Sequence, residues 1–488
     1  MTESPASSLP SGVVRPIPGE LLRLALPVLA SQLLRVAYQW VDALWVQGLG
    51  VSAIAAVTSS VFVMWSVYSL NDMVAVGALA WVSQLLGSGN ARGAGEAAFR
   101  AARASALLGL LGTIAALVAG RHLFGLMTTD PRVLRDGTRY LTIVLAAAPL
   151  PMIALTCESI MRASGDTRTP FLLDLCAVTL NAVLAPLLIY GPGPFPALGV
   201  AGAACATVSA QAALVAGYLV VGRRRGREAG GGTTLFIRPG AGEAPAAARS
   251  APAAADVVPV PNPAAWAPRA SLARLLAVGA PASLIGILFS VVYVAFARSA
   301  ARFGPDSMAV IGIANRIEAI QFVTAASIGS AGAALVGQNL GAGQARRAAQ
   351  VIRTGVVWNS WIALVVTGVI ELFPSAFLFL FTRDPAVHQV GVPYLRILAV
   401  CFLPTAIEVV TTESVLGSGH TLVVSLIFTG ISLARIPLAF LVPAWTHSAL
   451  SGIAWVITTT CFVRTALILF YAARGSWQRG LGAGAVPG

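Results

Sequence analysis

The segment Gln84-Leu85-Leu86-Gly87-Ser88-Gly89-Asn90-Ala91-Arg92 returns, little changed, as Gln338-Asn339-Leu340-Gly341-Ala342-Gly343-Gln344-Ala345-Arg346, 338 − 84 = 254 positions later. The same offset joins Pro27 to Pro281, Gly50 to Gly304, and Ser164-Gly165 to Ser418-Gly419. One spacing that links sites near the start, middle and end of each half marks a duplicated unit. Such a chain folds as two related copies, and when the copies are membrane-embedded the working site usually lies between them.

Composition decides the solvent. With 57% hydrophobic and 10% charged residues and a mean hydropathy of +0.80, a water-soluble domain is excluded. In hydrocarbon the backbone must satisfy itself within a helix or a closed barrel, and these apolar runs lack the alternation of barrel strands. The fold class is therefore all-α integral membrane. All 32 basic residues are arginine. Without lysine the chain has neither a Walker A loop nor a retinal or pyridoxal Schiff base, which excludes ATP bound here and light as fuels. The Arg/Ala/Gly/Pro bias suggests a GC-rich, bacterial genome. The net charge of +13 sits in short clusters beside the apolar runs, a topology signal rather than a nucleic-acid surface. The five cysteines lie within apolar runs without CxxC spacing and read as helix-packing residues. His122, His388, His420 and His447 are scattered, with no HExxH or GxSxG, so a membrane-embedded enzyme has no support. No cofactor is implied.

Breaking the hydropathy at Gly, Pro and charge clusters predicts twelve transmembrane helices, each able to cross roughly 30 Å of hydrocarbon. The predicted organisation is a cytoplasmic N-terminal tail (1–19) without a cleavable signal, a six-helix lobe (20–222), a Gly/Ala/Pro-rich cytoplasmic linker (223–270), a second six-helix lobe (271–473) and a C-terminal tail (474–488). Six spans per copy keep both copies in one orientation, as two bundles related by a pseudo-two-fold along the membrane normal. Clusters such as Arg92, Arg100 and Arg103, Arg223 to Arg227, and Arg346, Arg347 and Arg353 put one side, with both termini, in the cytoplasm. The loop with Arg121, Arg132, Arg135 and Arg139 departs from that rule, offset in part by Asp130 and Asp136.

An ionisable group at membrane depth needs a partner, a wet cavity or a job. Arg35, Tyr38 and Asp42 share one face of the first helix, which must point inward. A carboxylate there can exchange a proton or, with neighbouring hydroxyl and amide oxygens, hold a sodium ion; the plainer alternative is an Asp42–Arg35 structural pair. Glu158 and Asn181 are the other deep polar groups of the first half, with Asp174 nearer the cytoplasm and Asp72 read as a packing residue. In the second half Glu408 carries Thr405 and Thr412 on its face. Arg435, at the repeat offset from Asn181, either pairs with Glu408 or meets substrate. Arg316 and Glu318, two apart, do not face each other and have no shared explanation.

The run Val41 to Gly50 (VDALWVQGLG), QLLGSGNARGA, Met161 to Pro170 (MRASGDTRTP) and Asn181 to Thr207 together resemble the multidrug and toxic compound extrusion (MATE) family, and within it the DinF-like branch. The resemblance implies two six-helix lobes around a cleft, and export of cationic or amphipathic compounds against inward H⁺ or Na⁺. By motif it implies a coupling role for Asp42, Tyr38 and Asn181, with Asp42 and Asn181 as ligands if the ion is Na⁺, and a bending role for Pro27. Arg35, Glu408, Arg435 and Thr412 are candidate substrate-cleft residues. The chain departs from the branch at Ala185, where NxxLDP expects Asp; Glu158 is proposed to restore the second carboxylate. The seventh helix lacks a carboxylate, against NorM-type Na⁺ coordination in the second lobe. The expected partners are small molecules and the bilayer of the bacterial inner membrane, with no nucleic acid and the chain acting as a monomer. The alternative is a lipid-linked saccharide flippase of the same superfamily.

Overall fold

The computed structural model describes residues 10–125, 130–192, 196–228, 271–446 and 449–481. Most of the linker, 229–270, and the ends of both tails lie outside the described residues. In the first half a one-turn helix α1 (Ser11–Val14) precedes α2 (Ile17–Gln47), α3 (Val51–Ser69), α4 (Asp72–Gly87) and α5 (Ala91–Gly125). Then come α6 (Pro131–Ala146), α7 (Pro149–Ala163), α8 (Arg168–Tyr190) and α9 (Val200–Glu228). The second half runs α10 (Leu272–Ala300), α11 (Pro305–Gly341), α12 (Ala345–Leu372), α13 (Pro374–Phe379) and α14 (Pro385–Ala399). It closes with α15 (Phe402–Leu416), α16 (Thr421–Thr446) and α17 (Ala449–Ala473). Among the described residues nine helices are long and apolar enough to cross a membrane, up to eleven when each bent pair counts once, and α10 adds a shorter apolar stretch, Leu272–Gly286.

The repeat is written into the backbone. Gly50 and Gly304 have φ of 100° and 96°, Gly89 and Gly343 79° and 74°, Gly165 and Gly419 81° and 82°, each pair 254 apart. Left-handed φ is cheap only for glycine, so these turns hold the spacing. Asp130 accepts from the Arg132 and Val133 amides to cap α6; Asp384, 254 later, accepts from the Ala386 amide to cap α14. The pairs α6–α7 and α14–α15 bend by 51° and 47° at breaks of two residues. Prolines follow each break, at 149 and 151 in one half and at 404 in the other, and lack the amide needed to continue the hydrogen-bond ladder.

One difference between the halves is sharp. α3 and α4 together span 51–87, and α11 spans the equivalent 305–341 without interruption. The first-half break, at Leu70 and Asn71, buries a polar knot. Asn71 Nδ2 donates to Met152 O (3.1 Å) and Thr156 Oγ1 (3.2 Å), while Ser105 Oγ donates to Asn71 Oδ1 (2.7 Å). A carboxamide with that much buried bonding fixes the break in place.

Apolar side chains line the outside as well as the core. On α12, Val357, Trp361, Val365, Val369 and Leu372 are exposed at helical spacing, a face suited to acyl chains rather than water. Inside, the cores cross between halves. Leu21, Leu24 and Ala25 of α2 pack with Ile328 and Leu335 of α11 and Val410 of α15, whereas Val46 of the same helix packs with Tyr140, Ala185 and Ile189 of the first half. α10 mirrors this: Leu275 joins the first-half core, and Val292, Phe296 and Ala300 join the second. Pro27 and Pro281 lie within these helices between the two allegiances.

The halves meet closely at the end that carries the described ends of both tails. Gln84 Nε2 donates to Gly417 O (3.1 Å) and Ser418 O (2.9 Å). Reciprocally, Gln338 Nε2 donates to Ala163 O (2.8 Å), and 163 + 254 = 417. A Cβ on Gly87 would stand 2.0 Å from Gln338 O, and one on Gly341 2.0 Å from Gln84 O. The tails cover this seam: Asn339 Nδ2 donates to Gly12 O (3.1 Å), and the Leu481 amide donates to Gln84 Oε1 (2.8 Å).

Candidate functional site

A cavity of about 660 Å³ lies mainly within the first half, walled by α2, α3 and α6 to α9. Arg35, Tyr38 and Asp42 all line it, as their spacing on α2 requires. Asn181 on α8 is fully buried behind them. With its amide oriented to satisfy both ends, Asn181 Nδ2 donates to Asp42 Oδ1 (2.9 Å) and its Oδ1 accepts from the Thr207 amide (3.1 Å) and the Tyr38 hydroxyl (3.2 Å). The Tyr38 hydroxyl also lies 3.1 Å from Thr207 Oγ1. The structure thus brings Asp42, Tyr38 and Asn181 together through Thr207 of α9, a residue that sequence reasoning did not single out.

Glu158 is elsewhere on the same wall. Arg35 donates to Glu158 Oε2 (2.5 Å) and to Asp174 Oδ2 (3.0 Å), and Arg162 donates to Glu158 Oε1 (2.5 Å). Arg35 therefore pairs with Glu158 and Asp174, not with Asp42 as in the plainer alternative, and the structure places Glu158 in this arginine cluster rather than in the Asp42–Asn181 cluster. Both Glu158 oxygens are held by guanidinium groups, and Arg35 itself lies seven residues, about 10 Å of helical rise, from Asp42. Arg162 also donates to Ser330 of α11 and so ties the network to the other half. Arg162 is one turn from Glu158 on α7, a spacing the sequence displayed.

The second-half candidates fall in a separate buried cluster. Of the two readings of Arg435, the pair with Glu408 is not formed among the described residues: Glu408 Oε2 is 2.7 Å from Arg464 Nε, and Arg464 lies over the Phe428 ring at 4.4 Å. Arg435 donates to Thr460 Oγ1 (2.8 Å) and Cys461 Sγ (3.1 Å). Thr412 Oγ1 has no hydrogen-bond partner among the described residues. Glu408, Thr412 and Arg435 are buried, with exposures of 1%, 7% and 9%, and none lines this cavity. Repeat arithmetic explains the asymmetry. The equivalents of Tyr38, Asp42, Asn181 and Thr207 are Val292, Phe296, Arg435 and Cys461. At these positions of the second half a phenyl ring replaces the carboxylate and a guanidinium stands where the amide would be, so the Asp42–Asn181 arrangement is not repeated there.

The MRASGDTRTP motif earns its place at a turn. Gly165 supplies the left-handed φ, and Asp166 accepts from the Thr169 amide (3.1 Å), from Thr169 Oγ1 (2.7 Å) and from Arg225 at the end of α9. Burial alone would raise the Asp166 carboxyl, but the Arg225 and Thr169 bonds outweigh it and hold the group below the usual carboxylate range.

Twin helical lobes with crossed cores, lipid-facing apolar surfaces and a largely apolar cavity carrying a few charged groups define a multi-pass membrane transporter. The MatE family model matches residues 27–187 and again 281–441, a displacement of 254 at both ends, and the chain belongs to this family. Its members are transporters, not enzymes. Among curated relatives, the Thermotoga maritima "Probable multidrug resistance protein NorM" is 25% identical over 96% of this chain and 95% of its own length. The Shewanella oneidensis "FAD transporter" is 26% identical over 90% of each chain. A solved MATE structure described as being in the bent conformation shares the fold, with TM-score 0.81 at 23% identity, covering 97% of this chain and all of that one.

Proposed function

We propose that the chain is a DinF-like multidrug exporter that moves cationic or amphipathic compounds out of a bacterial cell across the inner membrane, acting as a monomer with both termini in the cytoplasm. The single observation that carries this reading is Asp42, the carboxylate on the cavity wall that no arginine among the described residues neutralises, set against an amide and a phenol that can follow its protonation. With the Asn181 amide in the orientation that satisfies both of its ends, Nδ2 faces Asp42 and Oδ1 accepts from the Thr207 amide and the Tyr38 hydroxyl, so in that arrangement no amide oxygen is aimed at Asp42. A sodium site wants several oxygens around the ion, so this donor set favours H⁺ as the coupling ion. An ionised Asp42 attracts a cationic substrate; a proton arriving from outside removes that attraction. A ligand shifts the equilibrium between openings only by its different affinity for the two.

The tight seam at the Gln84 and Gln338 end fits a state closed toward the cytoplasm. The efflux reading is favoured over the saccharide flippase, because Arg35 is held by Glu158 and Asp174 and Arg435 is buried in the second half, which leaves Arg316 as the single cavity arginine without an ion pair among the described residues, short of the arginine-rich cavity a flippase would need. The relatives, named as drug-resistance proteins and an FAD transporter, support the same choice. In a pump-deficient host, wild-type protein is expected to raise resistance to cationic drugs and Asp42→Asn to abolish it at equal membrane expression. Undiminished resistance in that variant would refute the assigned role.

A further inference from the structure

Arg316 of α11 is the one residue of the second half among the described residues that line the cavity. It is exposed there, its guanidinium lies 5.6 Å from the centroid of the Phe381 ring, and among the described residues it makes no ion pair. The other charges of this wall are neutralised in place: Arg35, Glu158 and Asp174 on the wall and Arg162 beside it join two positive and two negative groups at 2.5 to 3.0 Å. What remains is Asp42 on one lobe and Arg316 on the other. Resting on the export reading above, we propose that Arg316 is a specificity-determining residue that binds the carboxylate of amphipathic zwitterions whose amine faces Asp42.

The chemistry follows from the guanidinium. It is planar, always charged and weakly hydrated, and it takes a carboxylate with two parallel hydrogen bonds. Stacking on Phe381 holds its orientation without consuming its donors. Tyr38, Trp40, Tyr68 and Tyr140 supply a flat aromatic lining for the body of such a ligand. A monocation of the same shape gains only Asp42 and is repelled by Arg316. A zwitterion touches both lobes at once, so its affinity depends on the distance between them, which is the quantity that alternating access changes.

The test compares a rhodamine carboxylate with its methyl ester, dyes that differ by one charge. Their equilibrium binding to the purified full-length chain in detergent is followed by fluorescence polarisation. Wild type is expected to bind the carboxylate on the order of tenfold more tightly than the ester, a difference of about 1.4 kcal/mol. Arg316→Gln is expected to erase that preference by weakening the carboxylate dye while the ester, freed of the repulsion, binds at least as tightly as to wild type, and Arg316→Lys to retain part of the preference. Equal weakening of both dyes by Arg316→Gln, or no preference in wild type, would overturn the assignment. Efflux of the same dyes from proteoliposomes separates the two claims, since a chain that binds with this preference and moves neither dye would sink the export reading and leave the role of Arg316 standing.

Discussion

Asp166 and Asp42 show how much a carboxyl's neighbours decide. Asp166, outside the spans, is bound to Arg225 and Thr169, which keep it ionised. Its folded value is depressed, so its contribution is complete above the ordinary carboxylate range and is lost as pH falls through the lowered folded value. Asp166→Asn is therefore expected to lower the apparent melting midpoint in detergent at neutral pH, equivalent to roughly 1–3 kcal/mol, and to narrow the gap to wild type as the pH is taken toward 3. A gap that holds constant with pH would contradict the ion-pair account. Legibility at this scale was uneven. Arg35, Tyr38 and Asp42 could be read because they share a helix, and helical spacing fixes their face. Glu408 could not, since Arg435 and Arg464 lie on different helices at 27 and 56 residues' separation and only packing chooses between them. The same limit hid Thr207, brought to Asn181 by the pairing of α8 with α9.

At the scale of the element, α2 and α10 each belong to two cores, and each carries a proline inside the helix between them. A proline interrupts the ladder at a fixed place and costs about 3 kcal/mol in a helix interior, so bent and straight forms become close in energy there. Pro27→Ala is expected to leave dye binding intact and to slow transport on the order of tenfold, because the hinge rather than the cavity is altered. Unchanged turnover in proteoliposomes would remove Pro27 from the mechanism. The repeat prolines were visible in the sequence; the sharing of α2 between cores was not, because it depends on which lobe each turn meets. The division of 51–87 into α3 and α4 rests on Asn71 bonding to α5 and α7, contacts with no local signature.

For the whole molecule, the duplication proved the most legible feature: the offset seen in two glutamine-glycine segments returns in glycine dihedrals, helix caps, helix bends and reciprocal glutamine bonds. It also identifies the seam. Gly341→Val would drive a side chain into Gln84 O, so spin labels at positions 92 and 346 are expected to report a longer mean distance than in wild type, and an unchanged distribution would show that this contact does not hold the lobes closed. What symmetry could not foretell is the functional asymmetry, with Asp42 and Asn181 in one half answered by Phe296 and Arg435 in the other. On the export reading, that asymmetry assigns exchange of the coupling ion to Asp42 of the first lobe, and transport of a cationic dye in proteoliposomes, with pH and sodium gradients imposed separately on wild type and Asp42→Asn, tests that assignment. The account predicts that an opposing proton gradient drives wild-type transport, that a sodium gradient alone does not, and that the variant fails under both. Wild-type transport driven by sodium alone, or a variant that still couples to protons, would contradict it.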